Sequence, residues 1–196
     1  LYSNKILIQP DCKMLLPEYL RFIRGVVDSA DIPLNISRET FQDNRMIQKM
    51  KSVLVKQIIT LLQELEKNEK AKYETFWNQF GRILKEGVHF DFENRDLLAQ
   101  LMRFNSSQCT DAGGLVSLKE YVDRMKPEQK EIYYITAVNR ETIQKSPYLE
   151  IFRKKEVEVL YLTDPNDEFI LSGLHEFEKK PIRSADQANL DLLKDS

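Results

Sequence analysis

Two short segments in the second half of the chain constrain its fold more than any other feature. Residues 132–136 and 157–162 combine β-branched and aromatic side chains, which is typical of strands. A helical pattern follows each segment, the second one starting after the Asp164-Pro165 turn, and residues 181–184 form a candidate last strand. Strands and helices that alternate with this spacing predict parallel strands joined by right-handed crossovers. We therefore expect a small α/β unit in this part of the chain.

The first half is dominated by a long helical pattern. Apolar residues recur there at spacings of three and four in one stripe, which comprises Ile47, Met50, Leu54, Ile58, Leu61 and Leu65. We expect this helix to begin near Ser37, a good N-cap residue, and to end at the charged run 66–70. The stripe lacks several clean heptads, so a coiled coil is not indicated.

Shorter elements are expected on both sides of the long helix. Residues 5–9 have the pattern of a short strand, and Pro17 can start a helix that continues to Val27. The helix after the charged run carries an aromatic stripe formed by Tyr73, Phe76, Trp77 and Phe80. This helix should end before Gly87, and a further helix should continue to Phe104.

Residues 105–114 form a polar, glycine-containing loop between the helical part and the α/β unit. Such a loop is a candidate boundary between subdomains. Just after it, Ser117 and Glu120 have the spacing of a capping box, which predicts a short helix as far as Met125.

Composition excludes several classes of protein. The 29 basic and 31 acidic residues leave a net charge of −2, so no global basic field favours nucleic acid as a partner. No apolar run approaches the roughly 18 residues that indicate a membrane span. Cys12 and Cys109 lie far apart and match no disulfide framework, which fits a reducing compartment. The chain starts at Leu1 without an initiator methionine, so we expect a piece of a longer protein.

The sequence lacks the motifs of a complete active site. It contains no G-x-x-x-x-G-K-[ST] phosphate loop, no G-x-S-x-G nucleophile elbow and no Cys/His spacing that suggests zinc. His89 lies close to Asp91 and Glu93, which could suggest a metal site, but Phe90 and Phe92 alternate with them. This alternation favours a half-exposed turn, and we expect no metal. The aromatic stripe could bind an unfolded substrate, although its helical spacing favours a place in the core.

Arg38 has an unusual position for a cation. Asn35 and Ser37 are both good N-cap types, so Arg38 would lie in the first turn of the long helix, at its positive end. A cation there is unfavourable by up to about 1 kcal/mol, and a nearby carboxylate or a bound phosphate would offset that cost. The residues alone leave two interpretations open, an ion pair with an acid such as Asp31 and an anion-binding role.

Several blocks of the sequence resemble one known family. Residues 25–42 are similar to a loop of the ninety-kilodalton heat-shock protein chaperones, and residues 16–29 resemble the family helix that leads into that loop. Residues 72–81 and 117–136 resemble further blocks of the family in the same order, so the resemblance covers residues 1–182. The block at 72–81 looks bacterial, of the high-temperature protein G type.

The resemblance implies the middle domain of such a chaperone, with a mixed α/β (α+β) fold. Residues 1–66 would be the C-terminal part of a large α/β/α unit that carries the arginine loop and the long helix. Residues 67–110 would be a helical connector, and residues 111–196 a small α/β/α unit with a short, mainly parallel sheet. In the family a separate N-terminal domain binds ATP with Mg, and a C-terminal domain dimerises. We therefore expect neither bound nucleotide nor ATP turnover in this segment alone, so that it is no enzyme by itself.

The resemblance also implies roles for two residues. Arg38 falls on the family's arginine that reaches the γ-phosphate of ATP when the domains close, and Gln42 falls on a glutamine of the same catalytic loop. A spacing of four residues places both side chains on one helix face. Arginine can hold developing phosphate charge, and glutamine can donate to a phosphate or orient a water. The alternative is a non-catalytic module that binds client proteins or cochaperones, with Arg38 as an ion-pair partner.

Partners and location follow from the same resemblance. The implied partners are the parent's own N-terminal ATPase domain and C-terminal dimerisation domain, unfolded or partly folded clients, and cochaperones, within a homodimeric parent. Neither nucleic acid nor membrane is expected. The bacterial type implies the cytoplasm, while similarity of residues 1–3 and 146–148 to the mitochondrial relative leaves the mitochondrial matrix as the alternative.

Overall fold

The computed structural model of the chain describes residues 1–32 and 44–188. Their contacts form two compact units, which divide the chain into Leu1–Tyr73 and Glu74–Ser196. The elements in chain order are β1 (Tyr2–Ser3), β2 (Ile6–Leu7), a 3-10 turn (Glu18–Leu20), α1 (Arg45–Asn68), α2 (Lys70–Phe90), α3 (Arg95–Leu101), β3 (Arg103–Ser106), β4 (Val116–Ser117), α4 (Leu118–Arg124), β5 (Ile132–Thr136), α5 (Arg140–Gln144), α6 (Pro147–Lys154), β6 (Leu160–Leu162), α7 (Pro165–Leu174), β7 (Glu176–Phe177) and β8 (Lys180–Ser184).

The first unit begins with a two-stranded antiparallel hairpin. Ser3 of β1 pairs with Ile6 of β2, so Asn4 and Lys5 form a two-residue turn between them. Their φ angles are 47° and 66°, and two positive values are the mark of a type I′ turn, whose twist matches that of the strands. The strand predicted over residues 5–9 is therefore shorter than expected, since its first residue belongs to the turn.

The prediction of a helix that begins at Pro17 is wrong. After a single 3-10 turn at Glu18–Leu20, the chain runs beside β1, and the Tyr2 N–H donates to the Val27 carbonyl at 2.7 Å. Gly25 and the β-branched residues that follow it have low helix propensity. The long-range pairing with β1 therefore prevails over the apolar periodicity of this segment.

α1 packs on the core of the first unit through Ile47, Met50 and Leu54, three members of the predicted stripe. Its buried residues are Ile47, Val55, Ile59 and Leu62. Toward the end of the helix the buried side chains are offset by one residue from the predicted stripe, so that Leu61 is 62% exposed. The sequence places apolar pairs at 54–55, 58–59 and 61–62, and a helical period fits either member of each pair. Packing selects the second member.

The predicted end of α1 can be compared with the structure, whereas its predicted start cannot. The Asn44 side chain accepts a hydrogen bond from the Met46 N–H at 2.9 Å and caps the described helix. The start predicted near Ser37 lies outside the described residues. The other end, Asn68, falls within the charged run 66–70, which confirms the prediction of a helix end there.

α2 is longer than the sequence predicted. It continues through Gly87 to Phe90, and the Asp91 N–H donates to the Gly87 carbonyl at 2.8 Å. Glycine inside a helix costs about 1 kcal/mol relative to alanine, and α2 nevertheless continues through the buried Gly87. Gly81 has a different role, because a Cβ there would lie 2.6 Å from the indole of Trp77. Only glycine lets the indole approach the helix backbone this closely.

The second unit is built on a six-stranded mixed sheet with the strand order β4-β3-β6-β5-β8-β7. β5 is parallel to both of its neighbours, pairing Tyr134 with Leu160 of β6 and Ile132 with Ile182 of β8. These pairings confirm the predicted parallel crossovers. The antiparallel strands β3, β4 and β7 were not predicted, and they extend the sheet at both edges.

β3 occupies residues that the sequence assigned to a helix. α3 ends at Leu101, and the Arg103 guanidinium donates to the carbonyls of Gln100, Leu101 and Met102 at 3.2, 3.2 and 2.9 Å. These bonds satisfy carbonyls that the end of the helix leaves without intrahelical partners. Phe104 therefore lies in a strand, and the prediction of a helix through it is wrong.

Helices cover both faces of the sheet. α5 and α6 pack on one face, where the buried residues are Tyr133, Ile135, Ile143, Leu149, Phe152, Val157, Val159, Tyr161 and Ala185. α7 contacts β6 and β8, and none of its residues belongs to that cluster. Because successive strand residues point to opposite faces, α7 covers the other side. This α/β/α arrangement confirms the predicted mixed α/β fold.

Local capping signals were predicted correctly. The Ser117 hydroxyl accepts from the Glu120 N–H at 3.0 Å, and the Glu120 carboxylate accepts from the Ser117 N–H at 2.8 Å, which completes the capping box of α4. The Asp164 carboxylate accepts from the Asn166 N–H at 3.1 Å at the start of α7. In residues 1–32 and 44–188, no helix is long and apolar enough to cross a membrane.

Candidate functional site

The two residues predicted to act on ATP, Arg38 and Gln42, lie outside the described residues. Their roles therefore stay predictions. The chain that leads to them is anchored at Ile32, which packs in the core of the first unit and accepts a hydrogen bond from the Ser3 hydroxyl at 2.6 Å. Asp31, the alternative ion-pair partner of Arg38, is exposed.

The described residues of the second unit carry an exposed group of aromatic side chains. Phe90 and Phe92 are each 72% exposed, and Phe169 is 58% exposed. The His89 ring joins them, with centroid distances of 4.8 Å to Phe90 and 4.3 Å to Phe169. We call these four residues together with Arg95 the aromatic surface. Aromatic side chains clustered in water are typical of interaction sites rather than of ordinary surface.

A tight turn at the end of α2 holds Phe92 in the aromatic surface. The Asp91 carboxylate accepts from the Asn94 N–H at 3.1 Å and from the Asn94 side-chain amide at 2.9 Å. The Arg95 guanidinium lies 4.3 Å from the Phe92 ring centroid and donates to the Val88 carbonyl at 3.0 Å. Hydrogen bonds and a cation–π contact therefore fix an exposed phenylalanine that no core contact requires.

The surroundings of His89 are aromatic. Its ring packs between two phenylalanines, as expected of a packed residue, and the predicted turn follows it at 91–94. No cluster of three or more histidine, cysteine or acidic side chains in the described part of the chain could hold a metal ion. A half-exposed turn was predicted around Phe90 and Phe92, and both side chains are 72% exposed, but no local signal brings the Phe169 ring to 4.3 Å from that of His89.

The aromatic stripe of α2 belongs mainly to the core, as its helical spacing predicted. Tyr73 is fully buried and Trp77 is 6% exposed. Phe76 and Phe80 are half-buried, and their ring centroids lie 5.7 Å apart. The stripe is therefore a packing feature, and the aromatic surface is formed by other residues.

Two ion pairs join α2 to α7, the helix that carries Phe169. The Lys85 ammonium lies 2.6 Å from the Asp167 carboxylate, and both side chains are buried. The Arg82 guanidinium donates to the Asp164 carboxylate at 2.7 Å near the surface. The two cations are three residues apart in the sequence, and so are the two aspartates. This matched spacing is visible in the sequence, but nothing there indicates that the two helices meet.

Burial and partners shift the two aspartates in opposite directions. Burial raises the pKa of Asp167 above its usual value, although the Lys85 ammonium acts in the opposite direction. Burial also tends to raise the pKa of Asp164. There the Asn166 N–H and the Arg82 guanidinium prevail, so the pKa of Asp164 is lowered overall. Burial therefore prevails at Asp167, whereas hydrogen bonds and the neighbouring cation prevail at Asp164.

A second buried polar group lies at the end of β3. The Glu158 carboxylate accepts two hydrogen bonds from Arg124, at 2.9 and 3.0 Å, and one from the Ser106 hydroxyl at 2.7 Å. The Tyr121 hydroxyl donates to the Glu158 carbonyl at 2.6 Å and accepts from the Tyr133 N–H at 3.0 Å. Burial raises the pKa of Tyr121, so its hydroxyl stays protonated. With these atoms paired to one another, the network acts as a structural link between α4, β3 and the residues before β6.

Comparison with known proteins agrees with the fold and the sequence blocks. The model of the family described as Hsp90 protein matches residues 1–196. The chaperone protein HtpG of Geobacter sulfurreducens is 49% identical over 190 residues, which cover 97% of this chain and 29% of that protein. HtpG of Burkholderia ambifaria is 49% identical over 196 residues, covering 98% and 31%, and HtpG of Coxiella burnetii is 49% identical over 192 residues, covering 98% and 30%. The chain thus spans about 30% of the length of these relatives. Because the family model matches the whole chain and nearly half of the residues are identical in these chaperones, the chain belongs to the Hsp90 family.

Proposed function

We propose that this chain is the middle segment of an ATP-dependent molecular chaperone that assists the folding of client proteins. The observation that carries the proposal is the family match over the whole chain, together with relatives that are chaperones about three times as long. ATP with Mg would bind in an N-terminal domain, and a C-terminal domain would form the homodimer. Residues 1–66, 67–110 and 111–196 would be the large subdomain, the connector and the small subdomain. The relatives compared are bacterial, which supports a cytoplasmic location over the mitochondrial matrix.

Within that machine we propose that Arg38 stabilises the γ-phosphate of ATP and that Gln42 orients the attacking water or a phosphate oxygen. Arginine presents fixed N–H donors and a permanent charge, so it can stabilise the charge that develops on the phosphate in the transition state. It would reach the phosphate only when the domains close, which makes catalysis dependent on that closure. The segment by itself would then have no turnover.

The test is ATP turnover by the full-length parent, with ATP affinity measured alongside. Arg38→Ala should lower turnover by about 10³-fold with little change in affinity, which is the scale of an arginine supplied to phosphoryl transfer. Arg45→Ala is the matched control, because Arg45 is an exposed cation at the start of α1. Unchanged turnover in Arg38→Ala would reject the catalytic role and leave a non-catalytic interaction module as the better description.

We further propose that the aromatic surface binds apolar segments of unfolded clients. Chaperone relatives and a cluster of exposed phenylalanines on one unit support this proposal together. Burying one phenylalanine side chain is worth about 1.5–3 kcal/mol, so Phe169→Ser should weaken binding of a labelled phenylalanine- and leucine-rich peptide by about 10- to 100-fold. Val138→Ser is the control, because Val138 is 83% exposed and does not belong to the aromatic surface. Equal losses in both variants would contradict a specific site.

A further inference from the structure

The two ion pairs between α2 and α7 form a short ladder with matched spacing. Arg82 and Lys85 are separated by three residues on α2, and their partners are Asp164, the N-cap of α7, and Asp167, three residues further along the chain. The outer pair is partly in water, since the Arg82 side chain is 77% exposed. The inner pair is buried, with side-chain exposures of 9% and 6% for Lys85 and Asp167.

A buried ion pair such as Lys85–Asp167 is by itself weak evidence for a gain in stability. Moving both charges out of water costs free energy that their attraction seldom fully returns, and apolar residues of similar size often replace such pairs without loss. The Lys85 ammonium lies 5.5 Å from the Trp77 ring centroid and 5.2 Å from that of Phe104, so cation–π contacts offset part of the cost of its burial, while the same rings would also pack against an apolar side chain. Burial also disfavours the charged form of Asp167 and raises its pKa.

The inner pair does constrain how α7 lies along α2. A slip of one helical turn would move Asp167 by about 5.4 Å, so that at most one pair of the ladder could re-form and either Lys85 or Asp167 would be left without a partner. An apolar contact at the same place imposes no such penalty, since one apolar neighbour replaces another. A buried charge pair therefore selects one register where apolar packing alone tolerates several.

The register of α7 determines where Phe169 lies. Phe169 follows Asp167 by two residues, on the exposed side of the helix, whereas Ile170 and Leu171 are buried. In the present register its ring centroid is 4.3 Å from that of His89 on α2. A different register would separate Phe169 from the part of the aromatic surface that α2 and the following turn provide.

We propose that Lys85 and Asp167 are positioning residues that fix the register of α7 on α2 and thereby assemble the aromatic surface. This inference rests on the proposed client-binding role of that surface. It assigns to the buried pair a contribution to binding specificity that exceeds its contribution to stability.

The experiment replaces the pair by apolar residues of similar size, Lys85→Met with Asp167→Leu, in the full-length parent. The urea unfolding midpoint should be unchanged or higher. Hydrogen exchange of the α7 amides should accelerate by about 10-fold, and affinity for the labelled phenylalanine- and leucine-rich peptide should fall by about 10-fold. The matched control is Lys119→Met with Asp123→Leu, which removes an exposed ion pair on α4 and should change none of the three readouts.

Two results would overturn the inference about the register, and a third would reject the client role on which it rests. Wild-type exchange of α7 and wild-type peptide affinity in the Lys85→Met, Asp167→Leu variant would mean that apolar packing alone sets the register. A lower midpoint, or the loss of a cooperative transition, would make the pair a stability element. Failure of the wild-type protein to bind the peptide would reject the proposed client role, whereas the exchange of the α7 amides would still test the register.

Discussion

Glu156 has a backbone conformation that favours glycine, and replacing it by glycine should stabilise the protein. Its φ is 52°, in the left-handed region. At the end of α6 the Val157 N–H donates to the Phe152 carbonyl at 2.8 Å, and the Glu156 N–H donates to the Arg153 carbonyl at 3.0 Å. These two bonds define a Schellman motif in which Glu156 occupies the position that glycine prefers. Phe152 and Val157 are both buried in the same core cluster, so the motif is held in place.

The expected gain is small because three effects compete. Left-handed backbone costs a residue with a Cβ about 1–2 kcal/mol, and glycine removes that cost. Glycine also gives the unfolded chain more conformational freedom, which reduces the gain in stability by about 0.4–1 kcal/mol. The Lys126–Glu156 ion pair is lost, but the Glu156 side chain is 84% exposed and the pair contributes at most about 0.5 kcal/mol. We therefore expect Glu156→Gly to raise the free energy of unfolding by about 0.5 kcal/mol.

Urea unfolding of Glu156→Gly and Glu156→Ala separates these effects. Alanine keeps the left-handed strain and also loses the ion pair, so it should lower the free energy of unfolding by up to about 0.5 kcal/mol. The Lys126 ammonium still donates to the Lys155 carbonyl at 2.7 Å in both variants, which keeps that contact equal. An alanine variant as stable as the glycine variant would refute the reasoning, because the conformation would then carry no strain.

Three further substitutions should each change the stability of the protein in a stated direction. Lys179 has a φ of 62° in the two-residue β7–β8 turn, so Lys179→Gly should raise the free energy of unfolding by about 0.5 kcal/mol in urea titrations, whereas a gain with Lys179→Ala would contradict this. Gly81→Ala places a methyl group 2.6 Å from the Trp77 ring, so it should lower the free energy of unfolding by about 1–3 kcal/mol. An unchanged urea midpoint would mean that the indole moves at little cost. The lowered pKa of Asp164 means that its contribution is present above its unfolded value of 3.8 and is lost as pH falls through the folded pKa. Asp164→Asn should therefore lower stability near pH 7 by less than about 1 kcal/mol and flatten the profile below pH 4, and a profile identical to wild type would reject this assignment.

The functional residues were accessible to sequence reasoning to different degrees. Arg38 and Gln42 were predicted from a resemblance that family membership now supports, and their roles stay predictions. The aromatic surface was not predicted, because the exposure of Phe90 and Phe92 depends on how the turn after α2 is packed. Phe169 could have been noticed as an apolar residue on the side of α7 opposite its apolar face, but no local signal places it beside His89.

The sequence by itself determined the elements whose signals are local and complete. Ile132–Thr136 formed a strand, and Ser117 with Glu120 started a helix, because side-chain type and capping act within a few residues. Only the tertiary structure decided which member of each apolar pair of α1 faces the core and why Phe104 lies in a strand. It also brought Lys85 and Asp167 together across 82 positions of the chain. A helical or strand period limits the orientation of an element, whereas the neighbour it meets depends on packing between segments that are distant in sequence.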